Sequence, residues 1–136
     1  TPDNNVWPAN CWADTDYNHT PGGKYSFHYY NASGFGFDLS QTLSGLEAGT
    51  YTLTVWSYGS ADNKTAILYA NSATSSISRA IVDTEQWDND SNSPVWVETT
   101  LTDIVVTDGN LTVGVDIKGL GDSWGYIDDF VLAKVS

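Results

Sequence analysis

Hydrophobic and polar residues alternate along several short stretches of the chain. A period of two is the pattern of a β-strand with one buried face. In one stretch Tyr51, Leu53 and Val55 fall on a single face, with polar or amphipathic residues between them. The clearest such stretches are 24–30, 50–58 and 111–118. No helical periodicity of 3.6 residues lasts beyond two turns, so the chain is predicted to be all-β.

The spacing of further strands predicts how they are arranged. Additional strands are predicted at 35–43, 65–69, 77–82, 96–106 and 126–135, and Asp108-Gly109-Asn110 predicts a tight hairpin turn. Short strands about 8–12 residues apart, separated by turn residues, indicate an antiparallel β-sandwich of jelly-roll type. Because no linker or repeat divides the sequence, residues 1–136 are expected to form a single module.

The strand order also predicts which loops lie together. In an antiparallel sandwich every second loop lies at the same end. One tip is therefore expected to hold loops 31–34, 59–64, 83–95 and 119–125. The residues that these loops would bring together are Asn31, Asp62, Asn63, Trp87 and Trp124.

Aromatic side chains occupy positions that alternation predicts to face solvent. Trp56 and Tyr58 lie on the face of their strand that points away from the core residues Leu53 and Val55. Trp124 is predicted to lie in a loop of small polar residues. His28, Tyr30 and Asp116 leave the core rows of their strands in the same way. An aromatic ring can stack on the apolar face of a sugar, while carboxylate, amide and imidazole groups hydrogen-bond its hydroxyls. The candidate sugar-binding residues are Trp124, Trp56, Tyr58, His28, Tyr30, Asp116 and Asn63.

The sequence leaves two questions about these residues open. The site could lie at the loop tip around Trp124 or on the sheet face around Trp56. Each ring could instead be structural, with Trp124 capping the core and Trp56 half-buried beneath a loop.

Charge and composition narrow the choice of partners. The chain has 5 Lys and Arg against 17 Asp and Glu, a formal charge of −12, and 13% aromatic residues. The negative electrostatic field of a chain with this charge repels phosphate backbones and anionic lipid surfaces. No nucleic acid and no membrane partner is therefore expected. Neutral or cationic ligands, including Ca²⁺, remain. The lone Cys11 cannot form a disulfide within the chain.

Motifs for catalysis are missing from the sequence. It has no Gly-x-Ser-x-Gly elbow, no His-Glu-x-x-His and no phosphate-binding loop. The carboxylate pair of a glycosidase needs a cleft that so small a sandwich rarely forms. The sequence therefore predicts a binding protein rather than an enzyme.

Asp128 is the candidate metal ligand. It alternates with Tyr126, Phe130 and Leu132, which predicts that all four residues face the core. A buried carboxylate needs a partner, and a bound Ca²⁺ is one solution. Protonation and backbone hydrogen bonds are the alternatives.

Several motifs resemble the calcium-stabilised β-sandwich carbohydrate-binding modules attached to polysaccharide hydrolases. The general ones are Gln41-Thr42-x-x-Gly45-Leu46-x-x-Gly49-Thr50-Tyr51-Thr52-Leu53, Val106-x-Asp108-Gly109 and Ile127-Asp128-Asp129-Phe130-x-Leu132. The more specific ones are Ser26-Phe27-His28-Tyr29, Phe35-Gly36-Phe37 and Trp124-Gly125-Tyr126-Ile127-Asp128-Asp129-Phe130. Together these are similar to family 61, the β-1,4-galactan-binding modules found beside endo-β-1,4-galactanases.

The resemblance implies a secreted, monomeric, non-catalytic module that keeps a glycoside hydrolase of the same parent chain on plant cell-wall galactan. It also implies a structural calcium near Asp128. A backbone carbonyl of the Gly22-Gly23-Lys24 turn, that of Gly23, would be a second ligand. The loop order places that turn at the opposite end from Asp128, so the two inferences conflict. The usual Asn-x-x-Phe-Glu start is missing, and we expect that the first strand has been trimmed.

Two alternatives to galactan binding remain open. One is a module for another β-glycan, such as xylan or mixed-linkage glucan. The other is a structural cell-surface β-sandwich whose aromatic residues bind no sugar. A small glycosidase is the least favoured reading.

Overall fold

The structure is a computed structural model that describes residues 11–14, 26–31, 35–60, 64–83, 85–90 and 92–136. For residues 11–14, 26–28, 30–31 and 35 it describes the backbone only. Regular structure in these ranges consists of β-strands, and no helix there is long and apolar enough to cross a membrane.

The strands, in chain order, are β1 (Cys11–Asp14), β2 (Ser26–Asn31), β3 (Phe35–Leu43), β4 (Gly49–Gly59), β5 (Lys64–Asn71), β6 (Ser76–Ala80), β7 (Trp87–Asp88), β8 (Ser93–Pro94), β9 (Val97–Val106), β10 (Leu111–Gly119) and β11 (Ser123–Lys134). The predicted strands correspond to β2–β6 and β9–β11. The remaining three are too short to show alternation, which explains why the sequence did not predict them.

Two sheets pack face to face. One has the order β1-β2-β11-β4-β9 and the other β3-β10-β5-β6, while β7 and β8 form a small hairpin. Every strand pair in the described residues is antiparallel. Buried side chains of both sheets meet between them, among them Leu53, Val55, Leu68, Leu101, Val115, Ile117 and Ile127. The predicted antiparallel β-sandwich of jelly-roll type is confirmed.

A β-bulge in β11 changes which residues face the core. Asp128 is opposite Trp56 and Val131 is opposite Thr54, so β11 has one residue more than β4 in this interval. Asp129 takes up the extra residue with a φ of 55°. Ile127 and Leu132 therefore both pack on the core, although they are five residues apart.

The prediction that Asp128 faces the core is wrong for this reason. Ile127 is the core residue, so Asp128 lies on the opposite, outward face of the five-stranded sheet and is half-buried there. Strict alternation would place Asp128 on the same face as Leu132, but the bulge between them adds one residue and reverses that relation.

The described strand ends agree with the predicted tip. Gly119 is opposite both Lys64 and Phe35, Asn31 is opposite Ser123, and Gly59 is opposite Gly125. The ends of β2, β4 and β10 therefore lie together. Asp62 and Asn63, like the Gly22-Gly23-Lys24 turn, fall outside the described residues.

Candidate functional site

Four aromatic residues pack together on the outward face of the five-stranded sheet, close to the tip. Tyr58 comes from β4, Trp124 and Tyr126 come from β11, and Trp96 precedes β9. The ring centroids of Tyr58 and Trp124 are 5.3 Å apart in an edge-to-face arrangement, and those of Trp124 and Tyr126 are 6.1 Å apart. Tyr58 also lies 6.4 Å from Tyr126 and 6.3 Å from Trp96. We call these four residues the aromatic cluster.

Strand register explains why the cluster forms. Tyr58 is directly opposite Tyr126, and cross-strand aromatic pairs stabilise a sheet. The two tyrosines are 7% and 5% exposed. Trp124 and Trp96 are half-buried, so parts of their rings remain open to solvent. The tyrosines thus form the base on which two partly exposed indole rings rest.

Trp124 belongs to a strand rather than to a loop. It is the second residue of β11, and its side chain lies on the same face as Tyr58. The loop-tip site and the sheet-face site are therefore the same surface. Trp124 and Tyr58 both lie on the outward face of the sheet, at the end near the tip.

Trp56 extends this face away from the tip. It is half-buried and lies opposite Asp128 on β11 and Glu98 on β9, so a carboxylate-bearing residue flanks it on each side. One Asp128 oxygen accepts a hydrogen bond from the amide of Asp129 at 2.9 Å. The hydroxyl of Thr100 donates to Glu98 at 3.4 Å. Aromatic surface beside fixed oxygen acceptors is an arrangement that can bind a polyhydroxylated ring.

The other predicted sugar-binding residues have different outcomes. The register puts position 28 opposite Tyr126 and position 30 opposite Trp124, so His28 and Tyr30 belong to the same face of the sheet. Asn63 lies outside the described residues. Tyr126, Trp96 and Glu98 also belong to this face and were not among the predicted sugar-binding residues. Alternation along β9 and β11 was the available signal, but it does not show which strands become neighbours.

Asp116 lies away from the aromatic cluster, and we correct its assignment to the same site. It is on β10 in the four-stranded sheet, opposite Asp38 and Ile67. There the hydroxyl of Tyr69 donates to Asp38 at 2.6 Å. Burial, together with this hydrogen bond, raises the pKa of Tyr69 to about 12. Asp116 does point away from the core as predicted, but the outward faces of the two sheets point in opposite directions.

The backbone of Trp124 is held from the neighbouring strand end. Its carbonyl accepts hydrogen bonds from the amide of Ser60 at 3.0 Å and from the Ser60 hydroxyl at 3.1 Å. The amide of Trp124 donates to the same hydroxyl oxygen at 3.1 Å. Gly59 permits this approach, because a Cβ there would lie 2.5 Å from the Trp124 carbonyl oxygen.

A buried ion pair lies beneath this contact. Lys64 Nζ is 2.5 Å from Asp83 Oδ2, and both side chains are 2% exposed. Lys64 also donates to the hydroxyl of Tyr29 and, at 3.1 Å, to the carbonyl of Trp124. Asp83 accepts a further bond from the hydroxyl of Ser57. Burial lowers the pKa of Lys64, and the charge of Asp83 opposes that effect.

Comparisons of sequence find no relative. No protein-family model matches the chain, and no curated protein matches it.

Solved structures do match. TmCBM61 in complex with β-1,4-galactotriose is 24% identical with a TM-score of 0.78, over 93% of this chain and 83% of that chain. Family 16 Carbohydrate Binding Module-2 is 15% identical with a TM-score of 0.53, over 94% and 88% of the two chains. The chain has the β-sandwich fold of carbohydrate-binding modules.

The same fold also occurs inside a larger protein. The enzymatically active domain of tailspike protein 4 of bacteriophage CBA120 is 15% identical with a TM-score of 0.66. The match covers 92% of this chain but only 18% of that one. A carbohydrate-binding-module fold therefore does not by itself decide the function of a chain, which depends on the residues of the site.

The described residues supply one candidate ligand for a structural calcium in this fold. Ca²⁺ takes about six to eight oxygen ligands. Among the residues that the structure describes, no three His, Cys, Asp or Glu side chains gather around a common point. The ligands that accompany Asp128 would have to include backbone carbonyls or residues outside the described ranges, such as Gly23.

Proposed function

We propose that the chain is a non-catalytic carbohydrate-binding module for plant cell-wall β-1,4-galactan and its oligosaccharides. The observation that carries the proposal is the half-buried indole of Trp124, which packs edge-on against Tyr58 on the outward sheet face. A ring supported from below keeps its position when a sugar stacks on it. Little side-chain entropy is then lost on binding.

The surroundings of Trp124 suit a neutral polysaccharide. Trp56 continues the aromatic surface along the sheet, and Glu98 provides a carboxylate that can accept hydrogen bonds from sugar hydroxyls. The net charge of −12 disfavours anionic polymers. The likeness in fold to a module solved with β-1,4-galactotriose supports galactan among the neutral candidates.

The location of the module and its parent protein are also part of the proposal. We propose that it is secreted, acts as a monomer and lies in the same parent chain as a glycoside hydrolase such as an endo-β-1,4-galactanase. Its role would be to keep that enzyme on its polymer, which raises the local substrate concentration without a new catalytic group.

Affinity electrophoresis of the purified chain tests the function. Gels that contain β-1,4-galactan should retard the protein, whereas gels that contain xylan or mixed-linkage glucan should not. Retardation by either of the latter alone would assign another β-glycan. If no polysaccharide retards the protein, the proposal is wrong and the aromatic cluster is structural. Release of reducing sugar from galactan by the pure chain would contradict a non-catalytic role.

We also propose a structural calcium ion with Asp128 as one ligand and the carbonyl of Gly23 as another; its support is the resemblance of Ile127-Asp128-Asp129-Phe130-x-Leu132 to calcium-stabilised modules, since Asp128 does not face the core. An ion that binds only the folded state adds about 2.7 kcal/mol of stability at a hundredfold excess over its Kd. Excess EDTA should therefore lower the melting temperature of protein shown beforehand to contain calcium. Asp128→Asn should melt at the lower temperature with or without EDTA. An unchanged melting curve of the calcium-loaded chain in EDTA would refute the proposal.

A further inference from the structure

The ion pair of Lys64 and Asp83 has an unusual set of partners. The ammonium group of Lys64 uses its donors on Asp83 Oδ2, the hydroxyl of Tyr29 and the carbonyl of Trp124. It also lies over the ring of Tyr29, 4.8 Å from the ring centroid. Two of these partners are side chains of the interior. The third is the main chain of the residue whose ring carries the proposed sugar site.

Stability alone does not explain a charged pair at this place. Removing two charges from water costs several kcal/mol per ion, and hydrophobic residues of similar volume often stabilise a fold as well or better. What a lysine adds here is a charged donor aimed at one carbonyl. Charge-assisted hydrogen bonds are shorter and roughly twice as strong as neutral ones.

The contacts on both sides of Trp124 make its position sensitive to this donor. Ser60 binds the amide and the carbonyl of Trp124 from one side. Tyr29, which Lys64 also holds, lies so close to the next residue that a Cβ on Gly125 would be 2.7 Å from Tyr29 Cε1. A shift of Lys64 or Tyr29 would therefore move the main chain at residues 124 and 125, and with it the indole that packs on Tyr58.

We propose that Lys64, held by Asp83, is a positioning residue that sets the place of the Trp124 ring in the sugar-binding surface. The ligand itself does not touch the pair. The inference rests on the proposed function for its effect on sugar affinity, but its effect on the aromatic cluster is independent of any ligand.

The test uses a variant that removes the donor without leaving a buried charge. Lys64→Met with Asp83→Asn keeps the side-chain volumes and an acceptor for Ser57, and it changes the net charge by zero. The matched control is Lys134→Met with Glu47→Gln, which removes the 3.5 Å ion pair between two more exposed side chains. Binding of galactotriose is measured by calorimetry, and the aromatic cluster is followed through the tryptophan bands of the near-ultraviolet circular dichroism spectrum, to which Tyr29 does not contribute.

We expect the Lys64/Asp83 variant to fold, to bind galactotriose about 2- to 10-fold more weakly and to show a weaker aromatic circular dichroism band. That range corresponds to the cost of ordering one mobile side chain on binding. The Lys134/Glu47 control should match the wild type in both measurements. An unchanged Kd together with an unchanged aromatic band in the Lys64/Asp83 variant would overturn the inference.

The other outcomes are also informative. If the wild type binds no galactan, the proposed function fails, and a changed aromatic band still supports the positioning role. If the double variant does not fold, Lys64→Arg replaces it, because that change keeps the charge pair with Asp83 but alters the donor that reaches the Trp124 carbonyl, and it should also shift the aromatic band. Failure of both to fold would overturn the inference, since the pair would then serve the whole fold and not the site.

Discussion

Trp124→Ala is expected to weaken the binding of galactan about 30-fold or more while the protein remains folded. The ring is half-buried and supported by Tyr58 and Tyr126, so it offers contact area at a central position of a small interface. Truncation of such an aromatic residue commonly costs about 2 kcal/mol or more, which is roughly a 30-fold loss of affinity. Titration with galacto-oligosaccharides and thermal melting together measure the two effects.

Two companion variants make the result specific. Trp56→Ala should weaken binding less, because Trp56 lies further from the tip; a larger loss than for Trp124→Ala would move the centre of the site along the sheet. Tyr69→Ala removes an aromatic ring from the other sheet and should leave the affinity unchanged. Native-like binding by a folded Trp124→Ala variant would refute the site, and an unfolded one would show that the ring caps the core.

Lys64→Met alone is expected to be the most destabilising of the substitutions considered. It leaves the carboxylate of Asp83, which is 2% exposed in its side chain, without its cation. Breaking one half of a buried ion pair costs about 3–5 kcal/mol. For a domain of this size the melting temperature should fall by roughly 10 °C or more.

Adding Asp83→Asn to Lys64→Met should recover part of that loss, since the stranded charge is removed. Lys134→Met is the control, because its partner Glu47 is exposed and the substitution should cost less than about 1 kcal/mol. Equal melting temperatures of Lys64→Met and wild type would show that Asp83 finds another partner. The same comparison in urea gives the free energies of unfolding.

The residues of the candidate site were only partly predictable from the sequence. Trp56 and Tyr58 were found, because alternation along β4 reports directly which residues share a face. The prediction that Asp116 lies in the same site as Trp56 and Tyr58 was wrong. Alternation shows on which side of its own strand a residue lies, but not to which sheet that strand belongs. The prediction that Tyr126 faces the core was wrong for the same reason as for Asp128, because the bulge interrupts the alternation between these residues and Leu132.

Local patterns in the sequence are enough to predict eight of the described strands, their order along the chain and the strand ends that meet at one tip. The strand predicted at 35–43 agrees with β3 at Phe35–Leu43, since a period of two and flanking glycines are local signals. Three further features come from long-range contacts: the bulge at Asp129, the position of Trp124 within β11, and the burial of Lys64 against Asp83. Each depends on which distant strand becomes a neighbour. Lys64 is 19 positions from Asp83 and 60 positions from Trp124 in the chain. Contacts between residues so far apart produce no periodic pattern in the sequence.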